Sequence, residues 1–409
     1  METLLERCAG LDVHKKTIAA CVRLPGAAGT RIQHVQTFDT TTVALLALGD
    51  WLAAHGVTHV ALESTGVYWK PVYYALEDRF TLVLVNPAHL KRVPGRKTDV
   101  QDAAWLAQLL ECGLVRASFV PPAPIRELRD LTRYRKTLID ERSREVNRVH
   151  KVLQDAGITL ASVATDVLGV SGRAMLEALV AGTTDAAILA DLARGKLRAK
   201  LPALRQALAG RFRGHHAFLV GQQLAHLDYL DEAITTLTAR IEEHLRPFAD
   251  AAARLDTIPG INQRGAEVLL AEIGVNMTVF PTARHLASWA GVCPGQYESG
   301  GKTTRGTARK GDRWLRTALM EAALAAIHTK NCALAAQYRR LLPHRGHKKA
   351  VFAVAHSILV IAYHLLARAT TYQELGAAYC DRRHAERATR RAVHLLERQG
   401  YHVTLERAA

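Results

Sequence analysis

Four carboxylates in the first quarter of the chain have the types and spacing of a metal site. Asp12 closes the apolar segment Cys8-Ala9-Gly10-Leu11 and Glu63 closes Val57 to Leu62, so each stands at or near the end of a buried strand, where functional groups collect. Asp99 and Asp102 lie three residues apart and share one face of a helix. Hard divalent cations such as Mg2+, with Mn2+ as an alternative, take carboxylate oxygens, and a pair of them can clamp the attacking and leaving oxygens of a phosphodiester. Taken singly, each acid also reads as a solvated surface group. Asp99 also reads as the cap of a helix running through Ala103 and Leu106 to Leu110, with Asp102 completing a capping-box-like pair. The joint arrangement favours nuclease or strand-transfer chemistry.

A second reactive group lies far along the chain. Ser299-Gly300-Gly301 sits in a glycine-spaced loop with Lys302, Arg305, Arg309 and Lys310 on its C-terminal side, ahead of a helix expected from about Arg313. A serine hydroxyl is a poor nucleophile at its free pKa, and a cationic pocket would stabilise both the alkoxide and the phosphorane it forms on attack. The same tripeptide also reads as a plain turn.

The elements that must position these groups follow from periodicity. Residues 7–13, 17–24 and 32–38 read as a β-meander, with Pro25 to Gly29 as a connecting turn. Helical spacing over 41–55, a strand over 57–62, a helix over 67–76 and a strand over 80–85 follow. Three antiparallel strands and then strand–helix alternation, with acids on the first strand, the fourth strand and a late helix, is the pattern of an RNase H-like fold. Residues 125–153 and 218–245 read as long amphipathic helices, pairing as an antiparallel coiled coil within the chain or packing between chains. Pro259-Gly260-Ile261 between two helical segments resembles a helix-hairpin-helix, whose turn offers backbone N–H groups to a DNA phosphate, or is a purely structural turn.

Composition narrows the partner. The chain has 409 residues, 49% apolar and 22% charged, enough for two or three domains with proper cores. Its net charge of +16 implies a polyanion, either nucleic acid or an anionic membrane surface. From Ser299 to Lys349 twelve Lys and Arg face two acids, Asp312 and Glu321, so that stretch carries most of the excess. Its Lys302, Arg305, Arg309, Lys310, Arg313, Arg316, Lys348 and Lys349 are candidate nucleic-acid contacts, as are Lys91, Arg92, Arg96 and Lys97 in the loop before Asp99. No signal-peptide pattern opens the sequence, and the apolar stretch 350–367 is interrupted by His356, Ser357 and His364, which reads as a core helix of a cytoplasmic, nucleoid-associated protein. Six cysteines without CxxC pairing are expected to be reduced and mostly buried, and the nineteen histidines show no metal-ligand spacing.

At this point the residues resemble a known family, the DEDD transposases of the bacterial IS110 and IS1111 insertion sequences. One block comprises Gly10-Leu11-Asp12-Val13-His14-Lys15, Glu63-Ser64-Thr65-Gly66, Asn86-Pro87 and Lys97-Thr98-Asp99-Val100-Gln101-Asp102-Ala103, and looks like the family's RuvC-like domain. The other comprises Ile258-Pro259-Gly260-Ile261, Trp289-Ala290-Gly291-Val292 with Pro294, Ser299-Gly300-Gly301-Lys302 and Lys310-Gly311-Asp312-Arg313-Trp314-Leu315-Arg316, and is similar to its transposase domain. The resemblance implies a recombinase that excises and inserts its element, a homo-oligomer from dimer to tetramer, guided by a noncoding bridge RNA that pairs with donor and target DNA. It maps the acidic tetrad onto Asp12, Glu63, Asp99 and Asp102 as Mg2+ ligands and the nucleophile onto Ser299. The serine would form a phosphoseryl-DNA intermediate while metal held by a partner subunit's acids activates the same phosphate.

The expected organisation is an α/β RuvC-like domain over 1–124, a helical coiled-coil and linker region over 125–250, a mostly helical transposase domain over 251–366 and a basic tail over 367–409. Departures from a compact family member are the extended middle, near 159–214, and the arginine-rich tail, which reads as a solvated helix or an RNA contact. Two rival functions stay open: a RuvC-like structure-selective endonuclease using metal-activated water, and a non-catalytic nucleic-acid-binding protein.

Overall fold

The computed structural model describes residues 3–63, 66–86, 99–294, 297–299, 302–304, 308 and 310–406. The chain divides into two compact units, Met1–Val120 and Pro121–Ala409.

The first unit is built on a five-stranded sheet. Its strands are β1 (Cys8–Val13), β2 (Thr17–Pro25), β3 (Arg31–Asp39), β4 (His59–Glu63) and β5 (Thr81–Val85), in the order β3-β2-β1-β4-β5. β1 pairs antiparallel with β2, which pairs antiparallel with β3, while β1–β4 and β4–β5 are parallel. The helices are α1 (Thr42–Ala54), α2 (Trp69–Leu76) and α3 (Asp99–Glu111). Thr41 caps α1 by accepting the Ala44 N–H at 3.3 Å.

Strand alternation sorts side chains onto two faces. Ala9, Leu11, Val13, Ile18, Val60 and Leu62 pack with Leu45, Leu48 and Leu52 of α1 and Val72 and Leu76 of α2. On the opposite face, Cys8, Ala61 and Val85 pack with Leu106 and Leu110 of α3, and Ala19 and Cys21 pack with its Ala103 and Ala107. The C-terminal end of α3 is tied down by a buried ion triad, in which Arg23 Nε and Arg31 Nε each lie 2.5 Å from a carboxylate oxygen of Glu111. Burial first, and then the Glu111 charge, pushes the Cys8 thiol up to about 12. Cys8 is therefore expected to resist alkylation by a thiolate-directed reagent at pH 8 in the native protein and to react only after denaturation, as mass mapping of the modified cysteines would show.

The second unit is mostly helical. Its long helices α4 (Ala123–Asp155) and α8 (Gly214–Leu245) pack along one another within the chain. Their seam holds Leu138, Leu230 and Ile234, and Arg142 spans it to Asp231. Between them α5 (Val170–Val180), α6 (Ala186–Asp191) and α7 (Leu201–Leu208) close a separate core over the outer ends of α4 and α8, with Leu153, Leu160, Met175, Leu176 and Leu204 fully buried. The remainder holds α9 (Ala249–Asp256), α10 (Gln263–Ile273), α11 (Ala283–Trp289), a hairpin of β6 (Tyr297–Ser299) and β7 (Lys302–Thr304), α12 (Arg313–Ala326), α13 (Ala333–Arg345), α14 (His347–Arg368) and α15 (Gly376–Arg398). By length and composition α14 could cross a membrane; here its Val351, Val354, Ile358, Leu359 and Ala362 are buried in the unit's core, as a core helix requires.

Candidate metal centre and serine hairpin

Asp12 and Glu63 come together through sheet register. Leu11 is paired with Leu62 across the parallel β1–β4 ladder, which makes Asp12 and Glu63 the next residues on adjacent strands about 4.8 Å apart. Asp12 has the parity of Cys8 and Gly10, and Glu63 that of Ala61, so both belong to the face covered by α3. The side chain of Asp12 is only 13% exposed and has His14 Nε2 at 3.2 Å, while Glu63 is half-buried.

Gly10 fixes where α3, which carries the other two acids, lies on β1. A Cβ there would lie 2.3 Å from the Ala103 carbonyl oxygen and 2.5 Å from the Ala107 amide nitrogen, so the helix backbone rests directly on the strand. The Cys8 thiol meets the Ala107 carbonyl at 3.5 Å, hence strand and helix run in opposite senses. Two residues further along β1 is about 6.6 Å, close to one helical turn, and that step carries the strand from Gly10 to Asp12 and the helix from Ala103 back to the turn holding Asp99 and Asp102. By helical spacing Asp102 shares the face of Ala103, Leu106 and Leu110, which packs on the sheet.

A set of oxygen donors gathered at the ends of two parallel strands suits a hard divalent cation. Replacing Gly10 by Val is expected to lift α3 off β1 and lower the metal-dependent rate about 100-fold, the scale for an ångström of misplacement; Mg2+ titration calorimetry would show the same variant binding more weakly.

Ser299 is placed by a β-hairpin. Tyr297, Glu298 and Ser299 pair with Thr304, Thr303 and Lys302, leaving Gly300 and Gly301 between the paired strands. Those two glycines lie outside the described residues, as do Lys91, Arg92, Arg96, Lys97, Arg305 and Arg309. Ser299 is thereby at the last paired position, in register with Lys302. Further out, Pro294 bridges Ala308. The base is pinned at Gly311, where a Cβ would stand 2.2 Å from the Ala290 carbonyl oxygen, so the chain leaving the hairpin lies against the Trp289-Ala290-Gly291-Val292 turn. Asp312 then caps α12 through the Leu315 N–H at 2.8 Å.

Nothing in the sequence pattern pointed to what holds Asp312. Arg133 of α4 donates through Nε and Nη2 to both oxygens of Glu272, each at 2.7 Å, and Nη2 also reaches Asp312 at 3.0 Å. Arg129 donates to the Ala271 and Glu272 carbonyls at the C-terminus of α10, at 3.0 and 2.6 Å. Burial pushes the Glu272 carboxyl up, and the Arg133 hydrogen bonds act against it. The signal for such a network is long-range, since partners 139 and 179 residues apart share no local pattern.

Among the candidate nucleic-acid contacts, Lys310, Arg313, Lys348 and Lys349 are exposed, and Arg316 is half-buried with its guanidinium 5.9 Å from the Phe352 ring centroid. Lys302 lies on β7. Gly260 adopts φ +89°, and a Cβ there would be 2.2 Å from the Ala322 carbonyl oxygen of α12. The Ile261 N–H is bonded to the Ile258 carbonyl at 3.0 Å, so the tight turn between α9 and α10 serves close packing on α12. The histidines show no ligand spacing in sequence, yet folding brings Asp155 beside His215 and His216. There the Nδ1 of His216 accepts the Arg213 N–H and its Nε2 donates to Asp155 at 3.1 Å, an arrangement that caps α8 and leaves the ring no lone pair for an ion.

Comparison with known proteins turns on the same two segments. Residues 9–158, which hold all four acids, match the DEDD transposase model of IS110, and residues 252–339, which hold Ser299, match the transposase model of the IS116/IS110/IS902 family. The chain belongs to the IS110 family of transposases. The transposase is 27% identical over 301 residues to the transposase for insertion sequence element IS1111A of Coxiella burnetii, covering 71% of this chain and 72% of that protein. It is 25% identical to the transposase for element IS1328 of Yersinia enterocolitica over 71% of this chain and 77% of that one. The pilin gene-inverting protein of Moraxella bovis is 23% identical over 87% of the transposase and 94% of its own length. The transposase is thus a DNA-processing enzyme, and its family implies use of a divalent metal.

Proposed function

We propose that this transposase excises and inserts a bacterial insertion sequence through an RNase H-like, RuvC-type metal centre and a serine nucleophile, guided by a bridge RNA. The observation that carries the reading is that Asp12 and Glu63 each follow the paired Leu11 and Leu62 of adjacent parallel strands, on the face covered by α3, which carries Asp99 and Asp102. The sheet order β3-β2-β1-β4-β5, with α3 laid across its centre, supports the fold assignment.

The four acids would hold Mg2+, with Mn2+ as a substitute, and bound metal supplies charge neutralisation at a phosphodiester. The work of this chain's own groups is to bind and orient. Asp12 and Glu63 stand at strand ends, and α3, packed on the same face of the sheet, would bring Asp99 and Asp102 to them. Ser299 attacks phosphorus through Oγ; the Oγ–P bond forms, the P–O bond to the leaving nucleotide breaks, and the hydroxyl proton leaves with solvent. Reversal of this step by a new strand end completes joining. Lys302, Lys310, Arg313, Arg316, Lys348 and Lys349, with Lys91, Arg92, Arg96, Lys97, Arg305 and Arg309, are assigned to phosphates of double-stranded DNA or of the RNA. The acids and the serine of one site come from different subunits of a dimer or tetramer.

The test is a denaturing gel for DNA covalently attached to protein, using full-length protein, Mg2+, element-end DNA and co-expressed flanking RNA. A protein-linked strand that vanishes in Ser299→Ala is the expected result. Cleavage without a linked strand, undiminished in that variant, would make this a hydrolase that uses water, and binding without any cleavage would make it a binding protein only.

A further inference from the structure

The C-terminal helix α15 lies outside both segments that match the family models, so a role for it must be argued from its own residues. Among the described residues its anchoring hydrogen bonds lie at its N-terminal end. Glu374 accepts the N–H groups of Ala333 and Gly376 at 3.0 and 2.7 Å, Asn331 Oδ1 accepts the Ala377 N–H at 3.3 Å, and the helix packs against α13. From Ala385 to Gly400 every residue is exposed save Val393, which is half-buried.

At 100° per residue, Arg387, Arg390, Arg391, His394 and Arg398 fall within an arc of about 100°. Glu386 and Glu397 stand outside its edge, and the opposite side carries Ala388, Ala392, Leu395 and Leu396. All five basic residues are exposed. Arg390 and His394 each lie 3.9 Å from one of these edge acids, Glu386 and Glu397, yet four arginines against two glutamates leave a net positive stripe on an exposed helix, whose self-repulsion a polyanion relieves.

We infer that α15 is an additional DNA-binding element, which lays its arginine stripe on the phosphates of duplex DNA without reading sequence. Shape favours duplex DNA over duplex RNA. A helix 10–12 Å across matches the roughly 12 Å major groove of B-form DNA, whereas the A-form major groove is deep and narrow. The stripe from Arg387 to Arg398 covers about 16 Å, the axial rise of about five nucleotides of one strand. Four arginines on that length can each meet a phosphate, and each such contact releases a condensed counterion.

The experiment uses full-length protein carrying Arg387→Gln, Arg390→Gln, Arg391→Gln and Arg398→Gln together, which keep good helix formers at exposed positions. Binding to a duplex that lacks element sequence is followed by fluorescence anisotropy between 50 and 200 mM KCl, with circular dichroism to confirm unchanged helix content. The slope of log affinity against log salt is expected to fall in magnitude by about 3 to 4, at roughly 0.9 per phosphate lost. An unchanged slope overturns the inference. So does a loss seen on duplex RNA of equal length and not on DNA, which would make the stripe an RNA contact. A companion variant, Leu395→Gln with Leu396→Gln, is expected to leave the slope unaltered. If that variant instead abolishes binding and lowers the oligomer mass, α15 is an oligomerisation helix and the proposal fails.

Discussion

Asp12→Asn is expected to lower metal-dependent strand cleavage by about 10³-fold or more while the protein keeps its fold, and mixing it with Ser299→Ala is expected to restore cleavage that neither has alone. The first half follows from placement. Asp12 sits at the rim of the β1–β4 pair with 13% of its side chain exposed, and asparagine keeps its shape while removing the charge that attracts a cation. Thermal unfolding should therefore be little changed, which separates loss of chemistry from loss of structure. The second half follows from the proposed assembly of the site from two subunits. In a mixed oligomer, a subunit carrying Asp12→Asn still brings its serine and a subunit carrying Ser299→Ala still brings its acids, so one complete site forms. Cleavage by the mixture, measured on element-end DNA as protein-linked product, is the readout. Full activity of Asp12→Asn would remove the metal centre from the mechanism. Two inactive proteins that stay inactive when mixed would place acids and serine in the same subunit.

How much of this was legible before folding depends on the range of the interaction that decides each feature. The long helices were legible, because an unbroken apolar stripe over 125–153 and 218–245 specifies a helix whose one face must be covered; the structure runs them over Ala123–Asp155 and Gly214–Leu245. Whether the cover would come from the same chain or another was not written there, and it comes from the same chain through Leu138, Leu230 and Ile234. The meander and the strands ending at Glu63 and Val85 were legible from alternation, to within two residues at each end. The acids could be picked out singly, yet their relative placement is a matter of register: the Leu11–Leu62 pairing sets Asp12 beside Glu63, and the contact at Gly10 sets where α3 lies on that face. The histidines carried no usable signal for the opposite reason, since Asp155, His215 and His216 meet across the ends of two helices, where His216 caps α8. The turn at Gly260 was recognisable as a turn, while the residues that require glycine there, Ala322 and Ala326 of α12, lie more than sixty residues away.

Glu272→Ala is expected to destabilise the second unit by about 3 to 5 kcal/mol, the cost of breaking a buried ion pair from one side. Glu272 is fully buried, and its carboxylate is held by both N–H groups of the Arg133 fork with Arg129 Nε at 3.2 Å. Removing it leaves two guanidinium groups with little access to water and with Asp312 as the nearest remaining acid for Arg133, at 3.0 Å. A urea titration followed by helix signal should show the loss as a lower midpoint with an unchanged slope. Adding Arg133→Met should recover part of it, because the charge left without a partner is then gone. If the double variant is as unstable as the sum of the singles, the network is not acting as a unit. The consequence for chemistry runs through Asp312, which follows the pinned Gly311 at the base of the Ser299 hairpin and caps α12. Asp312→Asn keeps a capping oxygen and drops the charge that Arg133 holds, so stability should fall less than in Glu272→Ala. The rate of forming the protein-linked strand should nevertheless fall, because the hairpin that presents Ser299 is steadied at its base by that contact. An unchanged rate in Asp312→Asn would show that the hairpin is positioned by its own strands and the Ala290 turn alone.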